Sequence, residues 1–184
     1  FIMFEDTYKT LQHESQGIYT EKGSKFIAFA LPVTSEEEIK GKLAEIKKKY
    51  YDARHHCYAY ILGPDKAIFR MNDDGEPSST AGRPIYGQLL SHDITNVLIV
   101  VVRYFGGTKL GVPGLINAYR TAAKYAIEAN RIIEKTIDET YEIRFDYVAM
   151  NSVMQILKHD GIKINGQSYE YRYILDFTLR LRDA

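Results

Sequence analysis

The chain has 184 residues, room for one large domain or for a larger and a smaller one, and it is long enough to bury a core without disulfide or metal staples. Apolar residues make up 45% and charged residues 26%, an ordinary globular balance. Lys plus Arg equals Asp plus Glu at 24 each, which removes any global pull toward nucleic acid or membrane and leaves such a role to a local patch. Cys57 is the single cysteine, so an internal disulfide is excluded and a cytoplasmic location is expected. The longest apolar run, Val97 to Val102, is far too short to cross a bilayer, and no secretory signal is read in the sequence. Phe1-Ile2-Met3 is an unusual opening, and Met3 is the expected first natural residue.

In chain order, Gly17 to Val33 reads as extended, with Phe26 and Ala28 alternating against Ile27 and Phe29, so both faces are expected to be covered. Ser35 with Glu36, Glu37 and Glu38 forms a capping box with acids in the first helical turn. Ile39, Leu43, Ile46 and Tyr50 continue that helix, and Lys47, Lys48 and Lys49 form a solvated face at its negative end. His55 to Leu62 and Ala67 to Met71 flank the turn Gly63-Pro64-Asp65 and predict a hairpin. Asn72 to Ser79 is a polar loop, followed by a helix from about Thr80 to Leu90. Asn96 to Tyr104 is apolar on both faces and predicts a central strand. A glycine-rich loop, Gly106 to Gly111, precedes a long helix opened by Pro113 and running to about Asn130. Thr136 to Tyr147 is extended, Asn151 to His159 is helical and stops at Gly161, and Ile162 to Tyr169 and Tyr171 to Leu179 are strands. This last β-α-β-β pattern falls a helix and a strand short of a ferredoxin-like domain, so further C-terminal residues are expected in the natural chain.

Three clusters carry the polar chemistry. In Asp73-Asp74-Gly75-Glu76, three carboxylates can serve a functional loop or a hard cation. They can equally form an acidic turn at the start of the next helix, capped by Ser78, Ser79 or Thr80. Arg103 to Gly111 joins the buried strand to the long helix. Its glycines Gly106, Gly107 and Gly111 suit either an anion-binding concavity assisted by Arg103 and Lys109 or a tight packing turn. In His55-His56-Cys57-Tyr58-Ala59-Tyr60, strand alternation puts His55, Cys57 and Ala59 on one face and His56, Tyr58 and Tyr60 on the other. Cys57 then reads as a small buried hydrophobe rather than a nucleophile. His56 with its two tyrosines reads either as a face where aromatics stack on a base or partner, or as a part-buried sheet surface. No nucleophile elbow, His-Glu-x-x-His, Cys-x-x-Cys or phosphate-loop motif is present.

These clusters, in this order, resemble the IMPACT/YigZ family. The residues that carry the resemblance are His55 to Tyr60, Asp73 to Ser78 with Thr80-Ala81-Gly82 and Pro84-Ile85, Arg103 to Gly107 with Lys109 to Gly111, and Gly114-Leu115 with Ala118-Tyr119. Ser79 stands where the family often has Gly, Pro113 where Gly is usual, and Asn117 where Arg is usual, which weakens an anion site at the helix start. The resemblance implies an α+β protein. Its N-terminal domain, residues 1–133, would have the fold of the second domain of ribosomal protein S-five, a two-layer α/β sandwich. A truncated ferredoxin-like domain resembling the last domain of elongation factor G would occupy residues 134–184. It also implies a role in translation or its regulation under stress, since eukaryotic relatives act through a protein partner in starvation signalling.

The expected function is therefore a non-enzymatic binding module for RNA, the ribosome or a translation-associated protein. Its surface would be built from His56, Asp73, Asp74, Glu76, Arg103 and Lys109 with the glycine loop, and no cofactor, resident metal or membrane is expected. The alternatives are a metal-assisted hydrolase, after the dipeptidase label some relatives carry, and a small-anion or nucleotide-binding protein.

Overall fold

A computed structural model of the chain describes residues 6–183; the expectation about Met3 lies outside them. The structure divides into two compact units, one of residues 8–135 and one of residues 136–183 together with Asp6 and Thr7. The sequence-based division falls at 133/134.

In the larger unit, β1 (Thr7–Leu11) pairs with the late strand β7 (Ile132–Thr136) as a two-stranded ribbon. The main sheet comprises β2 (Ser15–Glu21), β3 (Ser24–Pro32), β4 (His55–Leu62), β5 (Ile68–Asn72) and β6 (Val97–Tyr104). It is antiparallel in the order β2-β3-β6-β4-β5. The stretch read as one extended run from Gly17 to Val33 is a tight hairpin. Lys22 (φ 47°) and Gly23 (φ 81°) are both left-handed, and Glu21 pairs with Ser24, the geometry of a two-residue primed turn.

The central strand β6 has an apolar residue at each position from Val97 to Val102, all six fully buried, because helices cover both faces. Each such side chain contributes about 1.5–3 kcal/mol of burial. On one face α2 (Gly82–Ser91) and α3 (Gly111–Glu128) cover Ala28, Cys57, Ala59, Ile99 and Val101. On the other, α1 (Glu36–Lys49) lays Ile39, Leu43 and Ile46 over Phe29, Tyr58, Tyr60 and Val100. The α+β class is the expected one, and α1 adds a third layer to the expected two. Ser35 caps α1 by accepting from the Glu38 amide at 3.1 Å, while Glu38 accepts from the Thr34 amide at 2.9 Å.

The smaller unit is β8 (Asp138–Phe145), α4 (Met150–His159), β9 (Ile164–Glu170) and β10 (Arg172–Arg180). Its sheet order, β8-β10-β9, places the third strand between the other two, as a split β-α-β unit requires. Leu157 of α4 packs on Leu175 and Phe177. Arg180 pairs with the carboxylate of Asp6.

Candidate functional site

The site forms where β4 begins and β6 ends. Antiparallel register sets His55 opposite Arg103 and Arg103 opposite Phe26, so all three side chains share the face covered by α2 and α3. Arg103 is 5% exposed and Glu76 8%. The Arg103 guanidinium donates to Glu76 Oε1 at 2.5 Å and to Ser24 Oγ at 3.4 Å. It also stacks over the rings of Phe26 and Phe105 at 5.4 and 5.7 Å. The Tyr119 hydroxyl of α3 donates to the same Glu76 oxygen at 2.7 Å, and His55 Nε2 stands 3.7 Å from it. Glu76 and Arg103 thus neutralise each other out of water, where an unpaired charge would cost several kcal/mol.

The acidic loop is spent on holding the fold. Asp73 Oδ1 accepts from the amides of Ala81 and Gly82 at 3.1 and 2.8 Å, and its Oδ2 accepts from Ser79 at 2.9 Å. It therefore caps α2 from eight and nine residues upstream, and the helix has no side-chain cap of its own. The expected cap at Ser78, Ser79 or Thr80 is corrected accordingly. Ser79 instead takes a left-handed φ of 62°, the conformation that suits glycine best. Asp74 Oδ2 accepts from the His56 amide at 2.7 Å, and the Asp74 carbonyl lies 2.7 Å from His55 Nδ1. Among the described residues no three His, Cys, Asp or Glu side chains converge as a metal-binding group.

Cys57 is fully buried, its sulfur 3.1 Å from the Asp73 carbonyl oxygen and 3.4 Å from the Tyr119 hydroxyl. Desolvation pushes the thiol well above its ordinary range, the opposite of an activated nucleophile. Desolvation likewise raises the Tyr119 phenol, with Cys57 and Glu76 adding to it.

The glycine loop serves both packing and access. Gly106 lies against Gly23, where any Cβ would overlap the Gly23–Ser24 backbone, and its amide donates to Ser24 Oγ at 3.2 Å. Gly107 and Gly111 have φ of 88° and 73° with open space around them. Pro113 lies inside the first turn of α3, which starts two residues earlier than expected. Between this loop and the start of β4 is a cleft of about 370 Å³, lined by Arg54, His55, Arg103, Phe105, Lys109 and Val112, among others. Phe105 is 43% exposed and the Arg54 guanidinium lies 5.5 Å from its ring centre. Arg54 and Lys109 have no carboxylate partner among the described residues.

Of the expected surface, Glu76, Arg103, Lys109 and Gly111 meet in this cleft. Asp73 and Asp74 stand behind it as supports. His56 faces the other side of the sheet, its Nε2 2.8 Å from the Tyr50 carbonyl at the end of α1. Tyr58 and Tyr60 beside it are 7% and 6% exposed beneath α1 and His56 is half-buried, so of the two readings of this face the part-buried sheet surface holds, and the stacking face is corrected. Residues the sequence did not single out for the site are Arg54, His55 and Phe105. The alternation that put His55 on the Cys57 face was the available signal. Asn117 does not line the cleft: its amide donates to the Tyr19 hydroxyl at 3.3 Å and its carbonyl oxygen accepts from Arg120 at 3.1 Å.

Among the described residues no helix is long and apolar enough to cross a membrane. The Impact N-terminal domain family matches residues 22–127. The chain is 32% identical over 152 residues to the IMPACT family member YvyE of Bacillus subtilis, covering 83% of this chain and 70% of the relative. It is 31% identical over 160 residues to the IMPACT family member YigZ of Escherichia coli, covering 86% and 78%. A crystal structure described as that of a hypothetical protein overlays with a TM-score of 0.80 at 28% identity, over 98% of this chain and 89% of that one.

Proposed function

The chain belongs to the Impact N-terminal domain family, and from that premise we propose that it is a non-enzymatic binding module of translation or its regulation, with RNA as the ligand of the cleft. The observation that carries this is the commitment of all three loop acids. Asp73 caps α2, Asp74 holds the β4 backbone and Glu76 is paired with Arg103. Three acids opposing a phosphate would argue for a protein partner instead. With Asp73 and Asp74 outside the cleft lining and Glu76 paired with Arg103, the cationic side chains at the cleft without carboxylate partners among the described residues are Arg54 and Lys109, beside an exposed aromatic ring. Cations flanking an aromatic platform suit a single-stranded backbone with unstacked bases.

The hydrolase alternative loses support on the same grounds, since the carboxylates are engaged by backbone amides or by Arg103 and the thiol is buried and protonated. The test is binding of the full chain to ribosomal RNA fragments across a salt series. Binding that weakens steeply with salt is the expected result. No binding at low salt, or a flat response, would overturn the RNA assignment.

A further inference from the structure

The β5 edge of the main sheet carries a second contact surface, outside the lining of the cleft. We propose that β5 and the adjoining side of α2 take an extended segment of a partner protein as a further strand of this sheet, one with apolar residues at alternate positions and acidic residues between them.

The first observation is the open ladder. β5 ends the sheet and pairs on one side only, with β4. In an antiparallel pair every second residue of such a strand turns its N–H and C=O away from its neighbour. Among the described residues the backbone from Ile68 to Met71 makes no backbone hydrogen bond outside that pairing. The β4–β5 register runs without a bulge and the strand holds no proline or lysine, so the usual devices that blunt an edge are missing. A row of unpaired backbone groups specifies its occupant, because an extended chain matches their spacing.

The second is the apolar side chains along that edge. Met71 and Phe69 stand opposite Ala59 and Ile61, on the face that α2 covers, yet remain 38% and 51% exposed. The Phe69 ring centre lies 5.3 Å from that of Tyr86 on α2. Leu90, one turn further along the same side of the helix, is 48% exposed. Large side chains left in water side by side along a free edge mark a contact surface.

The third is charge. Arg70 stands opposite Tyr60, on the α1 face of the strand. Arg83 opens α2 beside β5, where the Gly82 backbone lies against Asn72. Both arginines are exposed and have no carboxylate partner among the described residues. Acids of the flanking loops are already used: Asp65 accepts from the Ala67 amide at 3.2 Å, and Asp93 pairs with Lys66. This balance calls for acids on the incoming strand, and it argues against a second copy of the chain. Antiparallel self-pairing over all five residues of β5 sets Arg70 opposite Arg70, a destabilising pair of like charges. A two-residue shift that avoids it leaves three of the five paired.

The experiment uses the full chain, isotope-labelled, with two capped six-residue peptides, one alternating Val with Glu and one alternating Val with Lys, followed by amide NMR shifts and hydrogen exchange. The Val-Glu peptide should shift the signals of Ile68 to Met71 and Tyr86 and, at saturation, slow exchange of the outward β5 amides about tenfold or more. It should bind about three- to tenfold tighter than the Val-Lys peptide at low salt, the scale of one or two exposed charge pairs, and Arg70→Glu should remove or reverse that preference. No shift at β5 with millimolar Val-Glu peptide, or equal binding of the two peptides, overturns the proposal. Sedimentation of the chain alone decides the other occupant. A monomer at all concentrations supports the proposal, and self-association abolished by Phe69→Glu overturns it by assigning the edge to a second copy.

Discussion

Glu76→Gln is the perturbation that probes the committed-acid argument most sharply. The substitution keeps the shape and leaves an oxygen for the Tyr119 hydroxyl, now 2.7 Å away, but removes the charge facing Arg103 at 2.5 Å. Both side chains are nearly inaccessible, at 3% and 6%, so solvent cannot take over the compensation. Breaking a buried pair by removing one partner costs about 3–5 kcal/mol. With a urea dependence of about 2 kcal/mol per molar, the unfolding midpoint of the larger unit should fall by about 1.5–2.5 M. Replacing both partners, Glu76→Leu with Arg103→Met, should recover much of that loss, because no buried charge is then left alone. A midpoint shift below about 0.5 M for Glu76→Gln would refute the reasoning. It would mean that the carboxylate is not held by Arg103 and is free to face a ligand.

Asp73→Ala strands the amides of Ser79, Ala81 and Gly82 and should cost about 2–4 kcal/mol in chemical denaturation, without weakening RNA binding at temperatures where the fold persists. The Cys57 thiol is pushed up by desolvation. The stability it contributes is whole below the ordinary thiol range and is lost as pH rises through it, because the unfolded chain ionises first. Cys57→Ala should flatten that alkaline decline in thermal melts, and native Cys57 should react with thiol reagents only on unfolding. Desolvation and the hydrogen bond to Asp52 push Tyr104 up to about 12, so ultraviolet titration should find a phenol ionising well after the exposed tyrosines. Gly106→Ala should prevent closure against Gly23, whereas Gly107→Ala, facing open space at φ 88°, should cost only about 1–2 kcal/mol of backbone strain.

Much of the framework is legible in the residues because local physics decides it. Val97–Val102 is apolar on both faces since helices cover both, and Ser35 with Glu38 marks the start of α1 by chemistry confined to one turn. The Lys22-Gly23 turn is harder to see because one glycine is its sole cue, and Lys22 must take a left-handed backbone beside it. The cap of α2 is not legible at all: Asp73 reaches amides eight and nine residues ahead, which depends on how the loop closes. Alternation separated His55 from His56 correctly. It could not say which face opens at the strand's end, because that is set by the Tyr50 carbonyl of the α1 terminus, which takes the His56 ring. Arg54 and Phe105 gain meaning from stacking on each other across a gap of 51 residues.

The central claim is that Arg54 and Lys109 present the cleft's charge to a nucleic-acid backbone. The most direct test compares the salt dependence of RNA binding for the native chain and for Arg54→Ala/Lys109→Ala, two substitutions on side chains without carboxylate partners among the described residues. Each phosphate contact on a single strand contributes about 0.7 to the slope of log affinity against log salt. The double variant should therefore bind more weakly at low salt, with a slope shallower by about 1.4. A slope and an affinity unchanged from the native chain would contradict the account.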